Sequence, residues 1–240
     1  MISFIVPAHN EERWLGQCLG SIRATMGKIA RPYEVIVVDD ASTDSTHRIA
    51  EEMGVRTLQV ELRKISAVRN AGARVAKGEV FFFVDADTQI NERAVGAALK
   101  ILRGGAAGGG CVFDFDGPIP IWGRVMHFIG VVLGRLIRWV GGCFIFCTRE
   151  AFHAAGGFPE GLYAGEDIGF IQALKKVGRF EVPKPTVLTS GRKLEVVGPW
   201  EVTLLLLRIA IRGPRYENKM AMDILYGPRS EACKLPKKGR

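Results

Sequence analysis

Short apolar runs alternate with segments of helical periodicity over the first 90 residues. The apolar runs predict strands at residues 2–6, 35–38, 55–60 and 80–84. The periodic segments between them predict helices from about Glu11 to Met26, from a cap at residues 42–44 to about Met53, and over residues 65–77. The fourth apolar run has no polar position, which indicates a strand buried on both faces. This order of strands and helices predicts a parallel sheet with right-handed crossovers.

The pattern is less regular beyond residue 90. It predicts a helix at residues 92–102, a glycine-rich loop at 104–110 that its own sequence does not fix, and a strand at 111–115. An apolar helix-like stretch to about Val140, a strand at 142–147 and a helix begun by Thr148 follow. Residues 166–177 and 199–211 also have helical patterns, the latter strongly apolar. We expect one α/β domain over residues 1–190, and a C-terminal helix with a basic tail over 191–240.

The positive charge of the chain is concentrated at its C-terminal end. The 33 lysines and arginines exceed the 25 aspartates and glutamates by 8, and residues 191–240 hold 11 of the basic and 5 of the acidic side chains. The first 190 residues are nearly neutral, with 22 basic and 20 acidic side chains. This distribution argues against nucleic acid as a partner, because a nucleic-acid-binding domain would itself be basic. The hydrophobic fraction of 48% excludes a disordered chain.

Cysteine usage and the lack of membrane-spanning patterns predict a cytoplasmic protein. The five cysteines are widely spaced and form neither a C-x-x-C pair nor a zinc-binding set with histidine, so we expect reduced thiols in the core. The N-terminus has no basic region followed by a long apolar segment, and we do not expect a signal peptide. The longest uncharged stretch of the apolar middle, between Arg138 and Arg149, is well short of the roughly 18 residues of a spanning helix.

Several common catalytic motifs are missing from the sequence. The chain has no G-x-x-x-x-G-K-[ST] loop, no G-x-G-x-x-G after the first strand, no G-x-S-x-G and no H-E-x-x-H. Their absence argues against a P-loop ATPase, a classical dinucleotide enzyme, a serine hydrolase and a zincin.

The candidate chemistry lies in carboxylates at predicted strand ends. Asp39 and Asp40 follow the second strand, and Asp85 and Asp87 follow the fourth. Ligands of an open α/β sheet bind at the carboxyl ends of its strands, so both acidic groups are expected at one edge. Two carboxylates in a D-x-D turn suit Mg²⁺ or Mn²⁺ shared with substrate phosphates. Aspartate also suits turns, and this alone would explain either group separately.

Two further pairs of polar residues occur at predicted helix starts. Glu166 and Asp167 open a helix, where carboxylates stabilise the helix dipole and where one of them would also suit a general base. Arg69 and Asn70, early in the third helix, would meet phosphates or a base, or would lie on a solvated helix face.

Taken in order, these motifs resemble the inverting family 2 glycosyltransferases. The resemblance covers residues 2 to about 180, and the ordered set is specific although each piece is weak. It is carried by FIVPAHNEE (4–12), VIVVDDASTD (35–44), RNAG (69–72), GEVFFFVDAD (78–87), the strand at 142–147, GGF (156–158) and ED (166–167). The family implies a single GT-A-type domain, with a Rossmann-like, mostly parallel sheet flanked by helices.

The resemblance also implies roles for individual residues. Three residues at the end of the first strand would line the nucleotide pocket: Pro7, His9 and Glu11. Asp40 would hydrogen-bond the base, uracil or guanine, with Arg69 nearby. Asp85 would face the ribose or the metal, and Ala86 would belong to the same donor site. Asp87 would be the principal metal ligand at the diphosphate, and Asp167 would be the general base.

These roles imply transfer of one sugar from a UDP- or GDP-sugar in a single, inverting displacement. A bound Mg²⁺ or Mn²⁺ would ease departure of the nucleoside diphosphate, while Asp167 would accept the proton of the acceptor hydroxyl. The chain departs from the family pattern at His9, where an aromatic residue is frequent. It also lacks the Q-x-x-R-W motif of the processive members after Asp167, which favours single-sugar transfer over polysaccharide synthesis.

Two apolar helical segments and the basic tail indicate contact with a membrane surface. Three arginines fall within about 60° on a helical wheel, with apolar residues elsewhere on it: Arg124, Arg135 and Arg138 against Phe128, Val131, Val132 and Leu136. Residues 199–212 are apolar over a wide arc, as in a helix that is buried or lies in a membrane interface. Packing on the domain would explain both helices, whereas the basic tail at 234–240 favours anionic lipid. We therefore expect peripheral attachment to the inner face of the cell membrane, with access to a lipid-linked acceptor.

Two other functions fit the same pattern. A catalytically silent protein that binds nucleotide-sugars or acts as a scaffold would share the fold, although the intact set of four aspartates argues against it. A sugar-phosphate nucleotidyltransferase shares the architecture as well. It would need a glycine-rich, arginine-containing phosphate loop after the first strand, which residues 7–11 do not form.

Overall fold

A computed structural model describes residues 1–117, 119–161 and 165–191. Its strands are β1 (Ile2–Ala8), β2 (Tyr33–Asp40), β3 (Arg56–Val60), β4 (Val80–Val84), β5 (Thr88–Gln89), β6 (Gly108–Gly110), β7 (Phe113–Asp116), β8 (Phe144–Thr148), β9 (Phe180–Glu181) and β10 (Val187–Ser190). Its helices are α1 (Leu15–Ile29), α2 (Thr46–Glu52), α3 (Ile65–Val75), α4 (Glu92–Arg103), α5 (Ile121–Leu136), α6 (Arg149–Ala154) and α7 (Glu166–Val177). The helix predicted at residues 199–211 and the basic tail lie outside the described residues.

The main sheet is mostly parallel and has the order β3-β2-β1-β4-β8-β6-β9. The first four strands are parallel neighbours, as the alternation of strands and helices predicts. Strand β8 runs antiparallel to both of its neighbours, β4 and β6, whereas β9 is parallel to β6. The predicted α/β class with a mostly parallel sheet is confirmed.

Alternate side chains of the central strands build one apolar layer on each face of the sheet. On β1 and β4, Phe4 and Phe82 point into the layer that includes α1 and α4, and their rings stack 5.1 Å apart. Phe81 and Phe83 point into the opposite layer, which includes α3, α6 and α7. This arrangement explains why β4 has no polar position, since it is covered by helices on both sides.

The glycine-rich segment after α4 is partly a strand, not the loop that the sequence predicts. Gly108–Gly110 forms β6 between β8 and β9. A Cβ atom on Gly109 would lie 2.2 Å from the carbonyl oxygen of Glu181 and 2.4 Å from Cζ of Phe146. The glycines are therefore required by close approach of neighbouring chain segments, which the local sequence cannot reveal.

A second, three-stranded sheet with the order β5-β10-β7 was not predicted. Strand β10 pairs antiparallel with β5, which follows the acidic turn after β4, and parallel with β7. Strand β5 has only two residues, as does β9 of the main sheet, and two residues are too few to show a hydrophobic period. This small sheet brings residues 187–190 next to Asp87.

Two helices begin later than the sequence predicts. Helix α1 begins at Leu15 and has no acidic residue in its first turn, so Glu11 is left in the preceding loop. Helix α2 begins at Thr46, and Asp44 Oδ1 accepts a hydrogen bond of 2.9 Å from the backbone N–H of Thr46. By contrast, α7 has the predicted bounds, and Thr148 caps α6 as expected by accepting from the backbone N–H of Ala151.

Two further observations concern the cysteines and the helices of the described residues. Cys18, Cys111, Cys143 and Cys147 are buried free thiols, and burial raises the pKa of Cys111 to about 12. No helix in the described part of the chain is long and apolar enough to cross a membrane.

Candidate active site

The carboxyl ends of β2, β1 and β4 meet at one edge of the sheet, because these strands are parallel neighbours. At this edge His9 follows β1, and its Nδ1–H donates a hydrogen bond of 2.6 Å to the backbone carbonyl of Asp40. The backbone N–H of Glu11 donates to Thr46 Oγ1, at the start of α2, over 2.7 Å. The predicted nucleotide-binding residues His9, Glu11 and Asp40 therefore lie at the same edge.

The Asp40 carboxylate holds the loop between β3 and α3. Its Oδ1 accepts from the backbone N–H of Leu62 at 2.7 Å and from that of Arg63 at 3.1 Å. Both bonds use one oxygen, and the other oxygen of the carboxylate retains its acceptor capacity. Asp40 is only 5% exposed, so a ligand would reach a small part of it. Its contact with a base stays a prediction.

Three residues of this edge have left-handed backbone conformations without being glycine. Asn10, Ala41 and Arg63 have φ values of 54°, 53° and 52°, and each lies shortly after one of the strands β1, β2 and β3. Such conformations are uncommon for alanine and arginine, and the surrounding structure must stabilise them. Asn10 contributes by accepting a hydrogen bond of 2.8 Å from the backbone N–H of Thr43. The loops at this edge are therefore held in defined shapes.

Arg69, in α3, connects the acidic turn after β4 with the start of α7. Its guanidinium donates to Asp85 Oδ1 at 2.7 Å, to Glu166 Oε1 at 3.1 Å and to the carbonyl oxygen of Gly142 at 3.2 Å. One face of the guanidinium lies 5.1 Å from the ring centre of Phe158. Arg69 is 2% exposed, so these interactions take place away from solvent. Arg69 thus has an interior role in which it positions two carboxylates, and its predicted place near the nucleotide stays a prediction.

Asp167 lies beside this ion-paired group, in the first turn of α7. A Cβ atom on Gly142 would be 3.2 Å from Asp167 Oδ2 and 3.1 Å from Nη2 of Arg69. Burial, followed by the neighbouring Glu166 carboxylate, raises the pKa of Asp167 to about 6, and the Arg69 guanidinium opposes part of this rise. A carboxylate whose pKa lies close to neutral pH suits general-base chemistry.

The two acidic residues of the D-x-D turn differ in their surroundings. Asp85 has one oxygen on Arg69, whereas Asp87 Oδ1 accepts a hydrogen bond of 3.4 Å from Thr189 of β10. In the described ranges, no three or more His, Cys, Asp or Glu side chains are grouped closely enough to hold a metal ion. Mg²⁺ and Mn²⁺ are commonly held by one or two carboxylates together with substrate phosphates. The donor set of Asp85 and Asp87 fits such a shared site.

Three other predicted residues lie in positions that limit what they can do. Pro7 is buried in β1, and Ala86 is buried in the core layer that includes α1 and α4. Their side chains therefore support the loops of the site from the protein interior. Asn70 does not lie on a solvated helix face. Its amide donates to the carbonyl of Phe158 and accepts from the backbone N–H of the same residue, both at 2.9 Å, which fixes the loop before α7.

Sequence reasoning missed two contributors to this site. Thr189 reaches Asp87 from β10, and the carbonyl of Gly142 binds Arg69. The apolar and β-branched residues 187–189 are a weak signal for a strand. A backbone carbonyl has no signal in the sequence.

The sequence model described as Glycosyl transferase family 2 matches residues 3–152. This match covers more than half of the chain and includes the loops after β1, β2 and β4 together with Arg69. A curated relative, the poly(ribitol-phosphate) beta-glucosyltransferase of Bacillus spizizenii, is 37% identical over 102 residues, which are 39% of this chain and 16% of that protein. Most relatives of this kind are much longer proteins, and the match spans between 14 and 62% of their length.

Two solved structures are similar to this chain in fold. Staphylococcus aureus TarS 1–349 in complex with UDP-GlcNAc has a TM-score of 0.62 and 22% identity, covering 93% of this chain and 70% of that one. The mannosyltransferase PcManGT of Pyrobaculum calidifontis, in complex with GDP-Man and Mn²⁺, has a TM-score of 0.68 and 19% identity, covering 94% and 70%. At these identities the similarity establishes the GT-A-type fold.

Proposed function

The chain belongs to glycosyl transferase family 2, and on this basis we propose that it transfers one sugar from a UDP- or GDP-sugar to an acceptor hydroxyl, with inversion at the anomeric carbon. The observation that carries the proposal is the double ion pair of Arg69. It joins the D-x-D turn to the residue before Asp167, although Glu166 is 97 positions away in the sequence. This contact supports the proposal because Asp85, which we assign to the donor side, and the residue next to Asp167, which we assign as the base, bond to the same guanidinium.

The choice of donor is supported by the contents of the similar structures. TarS was solved with UDP-GlcNAc and PcManGT with GDP-Man and Mn²⁺. The loops after β1, β2 and β3 would receive the nucleoside, with Asp40 at the base and His9 and Glu11 beside it. Hydrogen bonds already connect these loops to each other. Donor binding would therefore have a small entropic cost for ordering them.

In the proposed reaction Asp167 acts on the acceptor. Its ionised carboxylate accepts the proton of the acceptor hydroxyl while the oxygen attacks the anomeric carbon, and the bond from that carbon to the nucleoside diphosphate breaks. A single displacement of this kind inverts the configuration. Arg69 and Gly142 keep the start of α7 in place during the reaction, because they hold Glu166 and pack against Asp167.

Asp85 and Asp87 would hold Mg²⁺ or Mn²⁺ together with the diphosphate of the donor. The chemistry that such a cation supplies is neutralisation of charge on the departing diphosphate. One oxygen of Asp85 already accepts a hydrogen bond from Arg69. Asp87 would therefore be the main carboxylate ligand of the cation. Thr189 orients Asp87 from the small sheet.

Substitution of Asp167 tests the proposal. Asp167→Asn is expected to bind the UDP- or GDP-sugar with unchanged affinity and to lose at least about a hundredfold in turnover, because the amide cannot accept a proton. The matched control is Glu150→Gln, which removes an exposed carboxylate from the same position, the second residue, of helix α6. Donor turnover and thermal shift are measured for both variants with Mn²⁺ present.

Two results would contradict the proposed function. Near-normal turnover of the Asp167→Asn variant would remove Asp167 from the role of base. Nucleotide-sugar binding by the wild type with no turnover of any UDP- or GDP-sugar, across a panel of acceptors and in water, would show a silent binding protein. A true donor is recognisable in the same screen, since ligand at 100 times its Kd adds about 2.7 kcal/mol of stability.

A further inference from the structure

Helix α5 exposes an apolar face that runs along its whole length. Eight large apolar side chains of this face, including the residue that follows the helix, are between 42 and 78% exposed: Ile121, Val125, Phe128, Ile129, Val132, Leu133, Leu136 and Ile137. They recur every three or four residues and therefore form one stripe. The opposite side of the helix packs on the protein through the buried Gly123 and Gly134, and through the ring of His127 against Phe113 and Phe115.

No comparable patch occurs elsewhere in the described residues. Outside α5 and Ile137, their exposed large apolar side chains are scattered: Met1, Tyr33, Leu62, Val177 and Leu188. Single exposed apolar residues are normal on protein surfaces, whereas a contiguous apolar stripe usually marks an interaction site. The α5 stripe is therefore a candidate interaction site, and the charged residues near it indicate the kind of partner.

The charged side chains of the segment that carries the stripe have one sign, and Asp114 of β7 pairs with His127 on the side of α5 that packs on the protein. No aspartate or glutamate occurs between Asp116 and Glu150, while Arg124, Arg135 and Arg138 are exposed. Arg124 and Arg135 lie along the same edge of the stripe, because they are eleven positions apart, about three turns of helix. An apolar stripe with arginines along its edge is complementary to the acyl boundary and the phosphates of anionic lipid.

A second copy of the chain is a poorer partner for this surface. Two α5 stripes packed together would bring the same arginines near one another, with no carboxylate in the segment to pair with them. Helix α5 has 16 residues, which suits a helix lying in the interface plane.

We propose that the α5 stripe binds the surface of an anionic membrane, with its apolar residues at the headgroup boundary and its arginines at the lipid phosphates. The surface is connected to the candidate active site, because the chain passes from the end of α5 to Gly142, whose carbonyl binds Arg69. The inference rests on the exposed face and its charge, and it does not depend on the proposed sugar transfer.

The test is flotation of the full chain with lipid vesicles at low salt. Vesicles of phosphatidylcholine mixed with phosphatidylglycerol are compared with vesicles of phosphatidylcholine alone. The test variant carries Phe128→Ser and Leu136→Ser, and the matched control carries Tyr33→Ser and Val177→Ser, two exposed apolar residues outside the stripe. We expect the wild type and the control to float with the anionic vesicles, and the α5 variant to lose at least about tenfold in its partition coefficient.

Several results would overturn the inference. One is a wild type that does not float at all, and another is a wild type that floats equally well with neutral vesicles. Equal flotation of the α5 variant and the wild type would place the membrane contact in another segment. A drop in Tm of the α5 variant well beyond that of the control would show that protein covers the stripe. A dimer in solution that the α5 substitutions convert to monomer would assign the stripe to a second copy. Donor turnover without vesicles is measured separately, so failure of the proposed transfer leaves the flotation result unaffected.

Discussion

At the scale of single residues, Arg69 shows how one buried cation organises a site. The cost of burying its charge is offset by two carboxylates and a backbone carbonyl, all at hydrogen-bond distance. The same contacts hold Asp85 and Glu166, and through them the residues that we assign to donor and acceptor chemistry. A positioning residue of this kind affects stability and reaction together.

Arg69→Lys is expected to destabilise the protein by about 2–4 kcal/mol, because one ammonium group cannot bond to both carboxylates in the same geometry. It should also shift the acid limb of the pH–rate profile upward, since the shorter lysine would hold its charge farther from Asp167 than the guanidinium, whose charge lowers the pKa of Asp167. Chemical denaturation and kcat/KM against pH measure the two effects. The control is Arg74→Lys, exposed on the same helix, which should change stability by less than about 0.5 kcal/mol. A destabilised Arg69→Lys variant with an unmoved acid limb would show a purely structural role.

The raised pKa of Asp167 makes activity and stability depend on pH in opposite directions. A general base works only when ionised, so with Asp167 in this proposed role kcat/KM should fall about tenfold per pH unit below pH 6. In the same range the folded protein retains a proton that the unfolded chain releases, so this residue's contribution to stability decreases as pH rises from about 4 to 6.

Asp167→Asn should remove this stability penalty. The amide carries no charge to bury beside Glu166. The free energy of unfolding of the variant is therefore expected to exceed that of the wild type by about 1–3 kcal/mol at pH 8 and to equal it near pH 4. Urea unfolding at both pH values tests this. A variant less stable than the wild type at pH 8 would mean that the ionised Asp167 is not disfavoured in the folded state.

At the scale of secondary structure, β6 is a strand in which glycine is needed for space. Its neighbours β8 and β9 approach so closely that even a methyl group would meet backbone atoms. Glycine usually destabilises a strand, but in β6 any larger residue would clash with the neighbouring strands.

Gly109→Ala is expected to lower the free energy of unfolding by about 1–3 kcal/mol, since the new Cβ would lie 2.2 Å from the backbone oxygen of Glu181. Gly96→Ala is the control, because Gly96 lies inside α4 with no atom within 4 Å of the added Cβ. That substitution should stabilise the protein by up to about 1 kcal/mol through helix propensity. Thermal unfolding distinguishes the two, and equal effects of the same sign would contradict the steric explanation.

At the scale of the whole molecule, the proposed metal site is incomplete without the donor. Mn²⁺ alone should therefore raise Tm only slightly, while Mn²⁺ with UDP or GDP should raise it by more than the sum of the separate shifts. Asp87→Asn should abolish this coupling and leave a shift with the nucleotide alone. Strong stabilisation by Mn²⁺ alone, retained in that variant, would place the cation elsewhere. Differential scanning fluorimetry with the four ligand combinations is sufficient.

The first half of the fold and most of the site were predictable from the sequence. Strands β1 to β4 and helices α3, α4 and α7 have strong local patterns, and their parallel order follows from connection rules. The motif residues His9, Asp40, Asp85 and Asp87 lie at the carboxyl ends of these strands, where an open sheet binds its ligands. Strands β5, β9 and β10 were missed because two to four residues give no reliable period.

The sequence by itself determined which residues are chemically able to act, because carboxylates at strand ends and at a helix start are local features. Only the tertiary structure decided what those residues contact. Arg69 pairs with Asp85 and Glu166 across 16 and 97 positions, and three consecutive glycines form a strand because β8 and β9 leave no room for side chains. The apolar residues of α5 were visible in the sequence, but only packing decided that they face outward. Such outcomes depend on contacts between distant segments, and a local pattern contains no information about them.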